Sequence, residues 1–279
     1  MRAVSALVTA CFVLLFLTAP AGANGQVTKT LELEGYEIQF VADPEIPFTA
    51  RLRVKKDAQE VYDGPFIAHL GSLDEAPGSR NSAFPIAPGT DVTGDGTPDL
   101  VLLSFSGGAH CCFTLEVYAL GQSFAKIASV DGENSPPLLQ QREGEAAYVV
   151  ELVDWTFAYW HAPFVESPSP LVYLRWSPDG YQPAPELMRA EPLSENDLER
   201  KVTSLAKDMA EAGKPVPELW REMLTMIYKG QATQAFQLLN GAWPEDQLGR
   251  AAYLTQFGAQ LGLSPYFPAL ITLNEWPDF

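Results

Sequence analysis

The chain has 279 residues, is 47% hydrophobic and carries a formal net charge of −17. Six Trp and ten Tyr exclude a disordered polymer, and the length is enough for two modest cores. The acidic excess opposes nucleic acid and anionic lipid at long range, so neither is expected as a partner.

Residues 1–23 read as a processing signal. Arg2 supplies the positive start, Ala6 to Leu17 the apolar stretch and Ala21-Gly22-Ala23 the small-residue cleavage pattern. That places the mature chain in the periplasm or outside the cell. A lipoprotein-type box at Val8-Thr9-Ala10-Cys11 is the competing reading, with lipidation of Cys11. No later segment is long and apolar enough for a stable membrane span.

Residues 27–188 read as a β-rich domain. Leu31 and Leu33 alternate with charged neighbours, then Tyr36, Ile38 and Phe40, then Ala50, Leu52 and Val54. A period of two marks strands with one buried face. Asp63-Gly64, Asp131-Gly132 and Pro178-Asp179-Gly180 are expected turns.

The stretch from Asp91 to Asp99 has the spacing of a calcium loop. Calcium takes six to eight oxygens at about 2.3–2.6 Å. Asp91, Thr93, Asp95 and Asp99 occupy positions 1, 3, 5 and 9, Thr97 at position 7 offers a backbone carbonyl, and Gly96 stands at the sharp turn. Position 12 is Leu102, where an EF-hand needs Glu, and Leu100 to Leu103 reads as a buried strand. From Asp91 to Leu120 the chain resembles the FG-GAP and VCBS-type repeats, in which an Asp-rich turn runs directly into a strand. The resemblance implies Asp91, Asp95 and Asp99 as carboxylate ligands, with Thr93 departing from the usual Asp or Asn. One such loop is present, so a whole propeller is not implied.

The strand leads to Ser-Gly-Gly-Ala-His-Cys-Cys. Export would place Cys111 and Cys112 in an oxidising setting. A bond between them closes a strained ring, because neighbouring Cα atoms lie about 3.8 Å apart while disulfides prefer about 4.4–6.8 Å. Three readings stay open: a vicinal disulfide forming a stiff turn, two reduced thiols, or a soft-metal or redox site with His110. Calcium loop and cysteine turn together would give a rigid rim for a protein or glycan partner.

Phe113 to Ala119 alternates again, and Tyr148 to Trp155 and Leu171 to Trp176 read as further strands. Trp155, Phe157 and Tyr159 would share one strand face. An acid–base pair of Asp154 and His161 is the one arrangement that suggests a cell-envelope hydrolase. No Gly-x-Ser-x-Gly elbow, P-loop, His-Glu-x-x-His or dinucleotide-binding glycine pattern occurs.

The period changes after Pro192. Ser194 with Asp197 has the spacing of a helix cap. Leu198, Val202, Leu205 and Met209 form one stripe, Leu219 to Ile227 a second and Ala232 to Leu239 a third. Pro244 is expected to open a fourth helix through Leu248 and Ala251 to Leu261. Residues 194–279 are thus an α-helical domain. The expectation is α+β in two domains: an antiparallel β-rich part, either a sandwich or propeller-like blades, then helices. The function that fits is a non-enzymatic exported binding or scaffold protein with one structural calcium loop.

Overall fold

The computed structural model describes residues 26–42, 49–68, 86–106, 112–244 and 248–276. The chain is α+β: three antiparallel sheets are followed by five helices. The first sheet is a meander of β1 (Val27–Leu33), β2 (Tyr36–Ala42), β3 (Thr49–Lys56) and β4 (Gln59–Ala68). The second holds β5 (Asp99–Phe105), β6 (Phe113–Leu120) and β7 (Phe124–Glu133). The third holds β8 (Leu138–Gln140), β9 (Val149–Val153), β10 (Leu171–Ser177) and β11 (Gly180–Pro183).

The middle sheet is buried on both faces. Leu100 and Leu102 of β5 with Tyr118 and Leu120 of β6 pack on Tyr36, Ile38, Phe40, Leu52 and Val54 of the first sheet. Val101, Leu103, Leu115 and Val117 point the other way, into a cluster with Val150, Leu152, Val172 and Leu174 of the third sheet. A strand covered on both sides needs a continuous apolar run rather than an alternating one, which accounts for Leu100 to Leu103.

Two of the three expected Asp-Gly turns are bulges instead. Gly64 lies inside β4, where Arg51 pairs with Phe66 but Arg53 with Asp63, so β4 carries one extra residue. Gly132 lies inside β7, where consecutive Phe113 and Thr114 pair with Glu133 and Asp131. A bulge accepts the same residues as a turn while the strand continues. The β3–β4 turn is made by Asp57-Ala58, both at positive φ (51° and 61°), as a two-residue hairpin requires. The third expected turn is real: Ser177 pairs with Gly180 across Pro178-Asp179.

The helices are α1 (Glu195–Ala212), α2 (Pro217–Ile227), α3 (Ala232–Ala242), α4 (Arg250–Leu261) and α5 (Phe267–Asn274). The Ser194 side chain accepts the Asp197 N–H at 3.2 Å, and Gly213 ends α1 in the left-handed region. Pro244 does not open α4, which begins at Arg250, and Leu248 is exposed. The fifth helix lies beyond the sequence reading. One buried cluster runs from the second and third sheets into all five helices, so the change at residues 189–193 is a change of secondary structure, not a gap in the core. Among the described residues, no helix is long and apolar enough to cross a membrane.

Candidate functional sites

The loop at 91–99 is built by its own carboxylates. Asp91 Oδ1 accepts the Gly94 N–H at 2.6 Å, and Oδ2 accepts the Gly96 N–H at 2.8 Å. Asp95 is exposed, and its Oδ1 accepts the Thr97 N–H at 2.7 Å. Asp99 lies under the loop at 1% exposure, beside Thr93 at 4%. Its Oδ2 accepts the N–H groups of Val92 and Thr93 at 2.9 and 3.2 Å. The Thr93 hydroxyl stands 3.3 Å from both Asp99 Oδ2 and Asp91 Oδ1, so the two carboxylates share one proton donor.

Asp99 Oδ1 is buried with no hydrogen-bond partner. Burial, chiefly, and then the Asp91 charge push the Asp99 carboxyl up to about 6, against the lowering effect of the Val92 and Thr93 bonds. Tyr181 of β11 lies within electrostatic reach of Asp99, and its hydroxyl is likewise buried without a partner.

The fit to calcium is therefore partial. Asp91, Asp99 and the Thr93 hydroxyl come together, and an orphaned buried carboxylate oxygen suits a cation. Among the described residues, however, no three His, Cys, Asp or Glu side chains form a metal-holding group, so Asp95 does not complete the set. The remaining oxygens would come from Thr93, backbone carbonyls such as that of Thr97, and water.

The loop docks on the third sheet. Tyr148 N–H donates to the Val92 carbonyl at 2.8 Å, and a Cβ on Gly94 would stand 2.7 Å from the Ala146 carbonyl oxygen. At the other end of β5, Ser106 N–H donates to the Cys112 carbonyl, and Cys112 N–H to the Ser106 hydroxyl. Cys111 and His110 lie outside the described residues, as do His69 and residues 1–25 with their expected signal. The loop and the cysteine end sit at opposite ends of β5, roughly 20 Å apart at about 3.3 Å per residue, so they do not share one rim.

Asp154 and His161 serve different places. The strand β9 ends at Val153, and residues 154–163 turn instead of extending. Phe157 is consequently buried at 1% exposure and Tyr159 exposed at 57%, on no common strand face. Asp154 is buried and accepts from the Tyr228 and Ser264 hydroxyls and the Thr156 N–H. Those bonds tie the end of the third sheet to α2 and to the turn before α5. Burial first, then the Asp154 charge, raises the Tyr228 hydroxyl pKa. His161, at φ 53°, is exposed and faces a cleft of about 400 Å³ that Asp154 does not line. Trp220, Trp243, Tyr253, Lys214 and Gln256 line it as well. The sequence marks Trp220 only as part of a helix stripe and offers no signal that gathers the others.

Comparison with known proteins finds no matching family model, no matching curated protein and no matching solved structure. The chemistry of these two sites is therefore read from their own residues.

Proposed function

We propose that the chain is an exported, non-enzymatic binding or scaffold protein whose β part is locked by calcium at residues 91–99. The observation that carries this reading is Asp99, buried with an unpartnered oxygen and sharing the Thr93 hydroxyl with Asp91. Among the described residues no basic side chain forms an ion pair with Asp91 or Asp99, so a cation is the missing counter-charge. Calcium would neutralise the pair and hold the loop against Ala146 to Tyr148, joining the second sheet to the third. The signal-like residues 1–23 support export, and export supports a Cys111–Cys112 bond. The partner is a protein or a glycan.

The hydrolase reading draws little from the geometry, since both Asp154 oxygens are engaged in the seam and His161 faces another cavity.

The test is thermal melting in calcium and in chelator, for the parent and for Asp99→Asn. The parent should melt several degrees higher in calcium, since a ligand that binds only the folded state stabilises it. Asp99→Asn should close that gap and, in chelator, melt no lower than the parent. An identical parent melting point in millimolar calcium and in chelator sinks the proposal.

A further inference from the structure

We propose that Tyr181 is the positioning residue for Asp99: its hydroxyl donates to a single buried water, which in turn donates to Asp99 Oδ1. The water is the ligand of this site. Through it the third sheet holds the carboxylate that organises the loop at 91–99.

The strand β5 aims the Asp99 side chain. Asp99, Val101 and Leu103 alternate along it and so share one face. Val101 and Leu103 enter the cluster that the third sheet supplies, and Tyr181 packs against the same cluster. The strand β11, which carries Tyr181, also lies beside β7, since a Cβ on Gly180 would stand 3.9 Å from the Ile127 carbonyl oxygen. The residues in register with Asp99 across the second sheet are Ala119 and Ala125. Neighbours this small leave room on the face that Asp99 shares with them.

The two oxygens of Asp99 have different surroundings. Oδ2 takes three donors, the N–H groups of Val92 and Thr93 and the Thr93 hydroxyl. Oδ1 is buried and takes none, and the Tyr181 hydroxyl is buried and also without a partner among the described residues. The two groups therefore do not bond to each other. Burial, and then the Asp99 charge, raises the Tyr181 hydroxyl pKa, in keeping with a phenol that faces the carboxylate.

An ionised carboxylate oxygen only accepts, and a phenol O–H donates. Buried polar groups that do not reach each other are relayed by water, which serves two to four partners at once. Both oxygens are closed off from solvent, so a larger ligand has no way in. The water leaves the charge of Asp99 uncompensated and one lone pair of Oδ1 free, so calcium is neither needed nor displaced.

Melting and hydrogen exchange of the full chain at neutral pH in chelator test the inference apart from calcium. Tyr181→Phe keeps the ring and removes only the hydroxyl. It should lower the melting temperature by about 2–4 °C, the shift that one hydrogen bond is worth in a chain of this size. It should also speed exchange of the Val92 and Thr93 N–H groups, which Asp99 holds, by about tenfold. The Gly94 and Gly96 N–H groups, which Asp91 holds, should not change. A hydroxyl that served nothing would give the opposite sign, because removing an unsatisfied buried group stabilises a fold. A melting point at or above the parent's therefore overturns the inference, as does faster exchange at all four amides alike or at none. Crystals of the parent grown in chelator decide it without any variant. One water should stand about 2.5–3.0 Å from both Asp99 Oδ1 and Tyr181 Oη. A direct bond between the two residues, an empty gap or a metal ion in that place overturns it.

Discussion

Two irregular segments organise this molecule, and they are held by opposite means. The loop at 91–99 is tied within itself: Asp91 reaches N–H groups three and five residues on, Asp95 one two residues on, and Asp99 two that lie six and seven residues back. The segment at 154–168 is tied to distant chain. Asp154 meets Tyr228 and Ser264, Gln260 reaches the Thr156 carbonyl, Arg221 reaches the Glu166 carbonyl, and Phe157 packs on Phe257. The first segment has a local code of Asp and Gly. The second has a shape only because the helices are already there, and it holds Tyr159 and His161 at positive φ, a conformation that surrounding structure must enforce.

The largest test of that contrast is Asp154→Ala. It strips the acceptor from two buried hydroxyls and one N–H at the seam between the third sheet and the helices. A loss of about 3–5 kcal/mol is expected in urea unfolding, from three bonds to a charged group. Asp154→Asn keeps the shape and one acceptor, and the facing hydroxyls can rotate to accept from its amide, so about 1–2 kcal/mol should be lost. A loss below about 1 kcal/mol for Asp154→Ala would mean that the seam is held by packing alone.

The local loop should break at a different kind of residue. Gly94 and Gly96 both have positive φ (72° and 84°), but only Gly94 has backbone where a Cβ would go. Gly96→Ala should lose about 1 kcal/mol, the left-handed strain alone. Gly94→Ala adds the collision with Ala146 and should lose about 3 kcal/mol. Equal losses would show that the loop does not rest on the third sheet as described.

The same contrast decides what the sequence could reveal. The fold class was legible because strand and helix periods are local, and the caps at Ser194 and Gly213 are read from adjacent residues. Asp63-Gly64 and Asp131-Gly132 misled because a bulge and a turn ask for the same small, permissive residues. Only strand register separates the two, and register is a long-range property. The run from Trp155 to Tyr159 misled for a related reason: alternation suggests a strand, but the Asp154 side chain caps the Thr156 N–H and turns the chain toward the helices. The loop at 91–99 could be located from its spacing. The distinct burial of Asp99 and exposure of Asp95 could not, because it depends on the third sheet packed beneath. The cleft was invisible for the strongest version of this reason. His161, Lys214, Trp220, Trp243 and Gln256 come from four separate segments, and no spacing links them.

The smallest effect isolates Asp99 from the rest of its loop. Its folded-state carboxyl titrates near 6, above the ordinary value of 3.8, so between those values the folded chain holds more protons than the unfolded one. In chelator the stability contributed by protonated Asp99 is therefore present at low pH and is lost as pH rises from about 4 to about 6. Allowing for screening by solvent above the loop, the loss should be about 1–2 kcal/mol. Asp99→Asn, which cannot ionise, should remove this component from the pH profile. Calcium should act in the opposite sense, because it binds the ionised carboxylate: the gap in melting temperature between calcium and chelator should widen over the same interval. If the gap is already complete at pH 4, the ion is held by groups other than Asp99, and its buried oxygen needs another explanation.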